Sequence, residues 1–263
     1  MKRALLLLAA VAFSFLAAIS HAAPSDIGIV LMHGKGGSPG RFVSDLATAL
    51  EFHGYLVANI EMPWSRKRQY DVDMNTSDRE IATAVEALRA KGAKKVFVAG
   101  HSQGAVNALL FAGKHRVDGV IAIAPGGSHG AGPFRDALGS YVSKAKSLIE
   151  AGRGDEKYQF ADMEGSKGTF PITTTAAIYY DWFNPDGPHN VDYACRNVMG
   201  GTPALYIAPT RDYPGLIQGK FLNFRALPSH PLTRMYEPES DHLHAPEASS
   251  GEIIRWMNEV AGG

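Results

Sequence analysis

Short apolar runs alternate with helical stripes through most of this chain, and that rhythm restricts it to a few architectures. Ile27 to Met32 is continuously apolar and ends at His33-Gly34. Tyr55 to Ile60, Val96 to Ala99, Val120 to Ala124 and Ala204 to Ala208 repeat the pattern, and Arg234 to Tyr236 is a weaker instance. Strands buried on both faces read this way. Between them, Phe42, Leu46, Ala49 and Leu50 recur at helical spacing before Gly54, as do Ile81, Ala84, Val85 and Leu88 before Gly92. Ser77-Asp78-Arg79-Glu80 reads as a capping box that opens the second of these helices. Ala105 to Ala112 continues as a helix, and Ile253, Ile254, Met257 and Val260 mark a final one. The fold class is therefore α/β, a mostly parallel sheet with helices on both faces. Right-handed crossovers gather the loops that follow the strands along one sheet edge, where such sheets carry their ligands.

Residues 126 to about 200 interrupt the rhythm. Phe134 to Ala151 and Ile172 to Phe183 read as helices, with a polar, Gly-rich stretch between them. This is expected to be a lid-like excursion over the active edge, not a separate domain. Tyr179, Tyr180, Trp182 and Phe183 either line a pocket there or pack the excursion onto the sheet.

The N-terminus reads as a leader. Lys2 and Arg3 precede an uncharged run from Ala4 to Ile19, and Ser20-His21-Ala22 offers small residues at the −3 and −1 positions. That is the pattern of a secretory signal peptide covering residues 1–22, with Ala23 as the new first residue. The run is shorter than a spanning helix needs, so export to the periplasm or medium is expected, without stable membrane insertion. Cys195 is the only cysteine, so no internal disulfide is available. It is expected to pack in the core. No cysteine stands at the cleavage site for lipid attachment. The chain of 263 residues has no net charge, which argues against nucleic acid as a partner.

The chemistry concentrates in three loops. Gly100-His101-Ser102-Gln103-Gly104 lies between an apolar strand and a helix. A sharp turn there projects Ser102 from a strained backbone, and the flanking glycines, Gly100 and Gly104, avoid backbone clashes. The helix behind it presents free N–H groups and a positive dipole end. Gly126-Gly127-Ser128-His129-Gly130 matches the same pattern, but Pro125 interrupts the turn and loop follows, so Ser102 is the candidate nucleophile. A serine hydroxyl needs a base and an orienting acid. Asp212 follows the strand at Ala204, and His242 follows the strand near Met235. His244 competes with His242 for the base role, His242 lying closer behind the strand.

The order Ser102, Asp212, His242, each in a loop after a strand, resembles the α/β-hydrolase superfamily, of the serine esterase and lipase kind. The resemblance spans nearly the whole chain after the leader. It implies that His33-Gly34-Lys35-Gly36-Gly37 supplies a second oxyanion donor, so that the donors are the backbone N–H groups of Lys35 and Gln103. Gly34 and Gly36 then let the backbone approach the substrate. The Lys35 side chain departs from the apolar residue common there and is expected to point to solvent, the alternative being a cation that favours acidic substrates. His33 and His101 are expected to fix their turns through ring hydrogen bonds.

These residues together predict an exported serine hydrolase, most simply a carboxylic ester hydrolase. It would act on a small-molecule or polymer ester through an acyl-enzyme, with no cofactor and no metal. Amide, thioester and acyl-transfer chemistry would use the same groups. The alternatives are a metal-assisted hydrolase built on His242 and His244 with Asp241, and a binding protein on a hydrolase fold that has lost its activity.

Overall fold

The computed structural model describes residues 23–165 and 167–262, so the expected leader lies outside the described residues. Strand β1 (Ile27–Met32) leads through α1 (Ser44–Phe52) to β2 (Leu56–Ile60), and α2 (Met74–Ala90) leads to β3 (Lys95–His101). Helix α3 (Gln103–Lys114) precedes β4 (Gly119–Ile123). The excursion holds α4 (Gly132–Glu150), the hairpin β5 (Lys157–Glu164) and β6 (Gly168–Thr175), α5 (Ala176–Phe183) and α6 (Val191–Arg196). The sheet resumes with β7 (Ala204–Ile207), followed by α7 (Pro214–Ala226), β8 (Arg234–Tyr236), α8 (Ala245–Ala248) and α9 (Ser250–Gly262).

The sheet order is β2-β1-β3-β4-β7-β8, and each neighbouring pair runs parallel. The expected α/β fold is thus observed. The central strands β1, β3, β4 and β7 are buried on both faces because alternate residues enter two separate cores. Val30, Met32, Val98, Val120 and Tyr206 face a core shared with α2, α3 and the excursion. Ile29, Leu31, Phe97, Ile121 and Ile207 face the other core, closed by α1 and by Trp256 and Met257 of α9. Cys195 is buried in the first core, and burial pushes its thiol up to about 12, which leaves it unreactive.

Two local expectations are corrected. Helix α2 starts at Met74, not at Ser77, and its N-cap is Asp73, whose Oδ1 accepts from the Thr76 N–H at 2.7 Å. Ser77 lies inside the helix, and its buried hydroxyl has no partner among the described residues. The stretch from Ile172 is not helical until Ala176. Residues 168–175 form β6, paired antiparallel with β5, across the end of the expected polar, Gly-rich stretch and the start of the expected helix. The β-branched run Thr173-Thr174-Thr175 suits a pleated strand better than a helix. Thr175 then caps α5, its Oγ1 accepting from the Ile178 N–H at 3.2 Å.

The excursion docks through aromatic rings. Tyr179 stacks between Phe160 and Phe183, at centroid distances of 4.2 and 4.3 Å. Trp182 meets Trp64 and Tyr70 edge-on, and its Nε1–H donates to the Val72 carbonyl at 2.8 Å. Of the four aromatics singled out in the sequence, Tyr179, Trp182 and Phe183 are buried core residues and Tyr180 packs against them. Trp182 is the peg that holds the excursion to the loop after β2. Trp182→Ala is expected to cost about 3–5 kcal/mol, measured as a shift in the urea midpoint at unchanged m-value.

Candidate active site

The turn after β3 is strained where the sequence pattern requires it. Ser102 has φ 55° and ψ −117°, a conformation that a side-chain-bearing residue rarely adopts. The glycines beside it are forced by proximity. A Cβ on Gly100 would lie 2.1 Å from the Gly104 carbonyl, and one on Gly104 would lie 2.5 Å from the Met32 carbonyl. Helix α3 therefore starts hard against the end of β1. A Cβ on Gly34 would lie 2.9 Å from His101 Nδ1, which brings the turn after β1 against the same elbow.

The loops after β7 and β8 carry the other two candidates to Ser102. They stay zipped beyond the strands: the Thr210 N–H donates to Pro238 O at 3.0 Å and the Arg211 N–H to Ser240 O at 2.9 Å. This pairing delivers Asp212 and His242 side by side. Asp212 Oδ1 lies 2.7 Å from His242 Nδ1, and His242 Nε2 lies 3.0 Å from Ser102 Oγ. The carboxylate can only accept, so Nδ1 carries the ring proton and Nε2 accepts from the serine hydroxyl. The Asp212 and His242 side chains are 4% and 8% exposed. Tyr213, which the sequence analysis did not single out, lies against the imidazole at a centroid distance of 4.5 Å. His101 Nε2 donates to the His242 carbonyl at 2.8 Å, so this residue of the elbow holds the histidine loop directly.

His244 is not at the serine. Its Nδ1 bonds Asp241 at 2.8 Å, and its side chain is 65% exposed. Asp241 also accepts from the N–H groups of Leu243 and His244, so it organises the turn. Among the described residues no group of three or more His, Cys, Asp or Glu could hold a metal ion. Ser128 lines the same cavity as Ser102, but its Oγ accepts from the Val191 N–H at 3.0 Å and has no histidine partner among the described residues.

Both predicted backbone donors have their peptide planes fixed from the carbonyl side. In a trans peptide the N–H points opposite to the preceding C=O. The Gly34 carbonyl accepts from His33 Nδ1 at 2.7 Å and from the Gly37 N–H at 3.1 Å, which aims the Lys35 N–H the other way. The Ser102 carbonyl accepts from the Ala105 N–H at 3.0 Å, which aims the Gln103 N–H likewise. Among the described residues neither N–H has an acceptor. His33 Nε2 accepts from the Met62 N–H at 3.0 Å, so both ring nitrogens of His33 are committed.

The Lys35 side chain does not point to solvent. Its ammonium is buried under the excursion and donates to Asp162 Oδ1 at 2.5 Å. Asp162 carries no signal in the sequence, because the hairpin that holds it has the local pattern of a loop. Phe42, read from its spacing as the start of the first helical stripe, instead precedes α1 and forms part of the cavity wall. Phe42 has φ 63°, and the Val43 N–H reaches the Arg41 carbonyl at 2.8 Å across it, a tight and strained three-residue turn.

A cavity of about 460 Å³ opens over Ser102 and His242. Phe42, Phe134, Met163, Leu216 and Leu243 make its wall mainly apolar. Glu164 is the one carboxylate among its lining residues, and it is paired with Lys167 at 2.8 Å.

The family described as serine aminopeptidase, S33, matches residues 23–164, which is more than half of the chain. The chain belongs to this α/β-hydrolase family. Its match ends at the tip of the β5–β6 hairpin, so Ser102 and the two turns against it fall inside the matched segment, while Asp212 and His242 fall beyond it. Comparison with functionally curated proteins finds no match. Solved structures share the hydrolase fold at low identity. A metagenome-derived lipolytic enzyme described with LipS and LipT is 18% identical, with TM-score 0.62 over 89% of this chain and 94% of the other. The monoacylglycerol lipase of Paleococcus ferrophilus gives 18% identity and TM-score 0.61 over the same shares. Est1E of Butyrivibrio proteoclasticus with bound ferulic acid gives 13% and 0.60 over 90% of each chain.

Four buried histidines of this hydrolase are neutral when folded. Burial is the main cause for each, lowering His33, bringing His101 and His189 to about 3, and holding His129 well below 6.5. The unfolded chain binds protons at these rings below about pH 6.5, and the folded chain does not. Stability is therefore full above that pH and falls as pH drops toward 3. Thermal melts at constant ionic strength are expected to show the midpoint falling steadily from pH 7 to pH 4.

Proposed function

We propose that this protein is a serine ester hydrolase in which Ser102 is the nucleophile, His242 the general base and Asp212 the orienting acid. The observation that carries the reading is the continuous contact from Asp212 through His242 to Ser102 Oγ at the floor of an apolar cavity. Ser102 Oγ attacks the ester carbonyl while its proton passes to His242 Nε2. The negative charge that develops on the carbonyl oxygen is met by the N–H groups of Lys35 and Gln103. Collapse of the tetrahedral intermediate expels the alcohol, which takes the proton from His242. Water, deprotonated by the same nitrogen, then cleaves the acyl-enzyme and restores the serine.

The cavity wall favours esters over peptides with a free amino terminus. An aminopeptidase needs an unpaired carboxylate for the substrate ammonium, and Glu164 is already engaged by Lys167. The apolar wall suits the acyl or alcohol portion of an uncharged ester. The esterases and lipases that share the fold act on related chemistry.

Fluorophosphonate labelling followed by peptide mapping tests the nucleophile. The label is expected on Ser102 and absent from His242→Ala. Ser102→Ala is expected to lower kcat on p-nitrophenyl esters by about 10⁴-fold or more, with a chelator having no effect on the wild type. A label on Ser128, or activity retained by folded Ser102→Ala, overturns the assignment. Export remains part of the proposal, supported by the basic, apolar and small-residue pattern of residues 1–22. Mass spectrometry of protein recovered outside the cytoplasm is expected to show Ala23 as its first residue.

A further inference from the structure

The two predicted donors are joined a second time, through their side chains. Lys35 Nζ donates to Asp162 Oδ1 at 2.5 Å and to the Met163 carbonyl at 3.2 Å. The Tyr70 hydroxyl donates to the other oxygen of Asp162 at 2.7 Å and lies 3.3 Å from the Gln103 side-chain amide, whose Nε2, otherwise without a partner among the described residues, donates to the tyrosine oxygen when the amide is turned to face it. The chain thus runs from Lys35 through Asp162 and Tyr70 to Gln103. All four side chains are buried, with Lys35 and Asp162 at 6% and 0% exposure. The Lys35 ammonium sits near the Phe134 and Phe183 rings, 5.0 and 5.6 Å from their centroids, and Asp162 is its one carboxylate partner among the described residues.

A fold that needed only to dock the hairpin would do so with apolar side chains. A buried ion pair loses two hydration shells and is seldom a net gain over well-packed hydrophobes. Its placement is what gives it a use. Lys35 and Gln103 approach the cavity from two different turns, and the backbone bonds described above fix each plane within its own turn only. The side-chain network is the only hydrogen-bonded path among the described residues that ties one donor residue's side chain to the other's. It also brings in β5, whose Met163 and Glu164 otherwise only line the cavity wall.

We propose that Asp162 and Tyr70 are positioning residues for the oxyanion site, holding the Lys35 and Gln103 N–H groups convergent, so that the docked β5–β6 hairpin sets the rate of the chemical step. This inference rests on the serine-hydrolase reading. It assigns the hairpin a part in transition-state stabilisation as distinct from substrate binding. A site whose donors drift by a fraction of an ångström loses transition-state stabilisation while ground-state binding in the apolar cavity is kept.

Steady-state kinetics on p-nitrophenyl butyrate, with inhibition by an alkyl trifluoromethyl ketone, test the proposal. The ketone adds to Ser102, and its hemiketal oxyanion reports the donors directly. Tyr70→Phe removes one oxygen and leaves Asp162 bonded to Lys35 and, at 2.6 Å, to the Met163 N–H, so this variant keeps the fold. Tyr70→Phe and Asp162→Asn are expected to lower kcat by about 10- to 100-fold and weaken the ketone by a similar factor. KM should stay within about twofold, since ground-state binding is untouched. Lys35→Arg is expected to recover most of what Lys35→Met loses. A folded Tyr70→Phe with wild-type kcat and ketone affinity, or losses confined to KM, overturns this inference alone. A folded wild type that neither turns over ester nor labels at Ser102 overturns the hydrolase reading and this inference with it.

Discussion

The left-handed backbone at Ser102 is the constraint on which the rest of the site depends. Such a conformation costs about 1–3 kcal/mol and persists only where the surroundings leave no alternative. Here β3 is buried on both faces, α3 is buried along nearly its whole length, and the turn between them is pressed against the end of β1. Neither strand nor helix can shift to relieve the turn. The same contact that imposes the strain brings the His33-Gly34-Lys35 turn beside the serine. The proposed nucleophile and donors are consequences of one close approach, and Gly100 and Gly104 are glycines because nothing larger fits between the two backbones.

The proposed base and acid are held by a different device. The loops after β7 and β8 extend the parallel pairing past the strands, so Asp212 and His242 share one rigid platform. Its link to the elbow is the bond from His101 to the His242 carbonyl. Burial keeps His101 neutral, and its ring proton sits on Nε2 to make that bond. A residue that the serine motif leaves free is thus chosen here by its neighbour across the sheet edge. The excursion completes the enclosure, with aromatic stacking as the adhesive and the Lys35–Asp162 pair at its inner face.

Much of this was legible in the sequence, for identifiable reasons. The sheet was legible because strands buried on both faces leave continuous apolar runs, which chance and surface helices seldom produce. Ser102 stood out from Ser128 because only the former is followed by a helical stripe, and the structure puts only Ser102 beside a histidine. His242 and His244 are two residues apart, and position behind β8 favoured the one that the structure brings to the serine. The hairpin β5–β6 was not legible: its strands are partly exposed and β6 carries Gly168 and Pro171, so the local pattern resembles loop. Asp162 and Tyr70 carry no motif. Lys35 misled for a related reason, since a lysine in a Gly-rich turn ordinarily keeps its ammonium in water.

The sequence by itself determined the elements of the central sheet, their edge loops and the chain order of serine, acid and histidine. These are local signals, written in periodicity and in the residues that a turn will accept. Only the tertiary structure decided which groups meet. It selected His242 over His244, turned the excursion aromatics into core and buried Lys35 against a carboxylate far along the chain. Such pairings depend on the distance between segments remote in sequence, and no local pattern of residues encodes that distance.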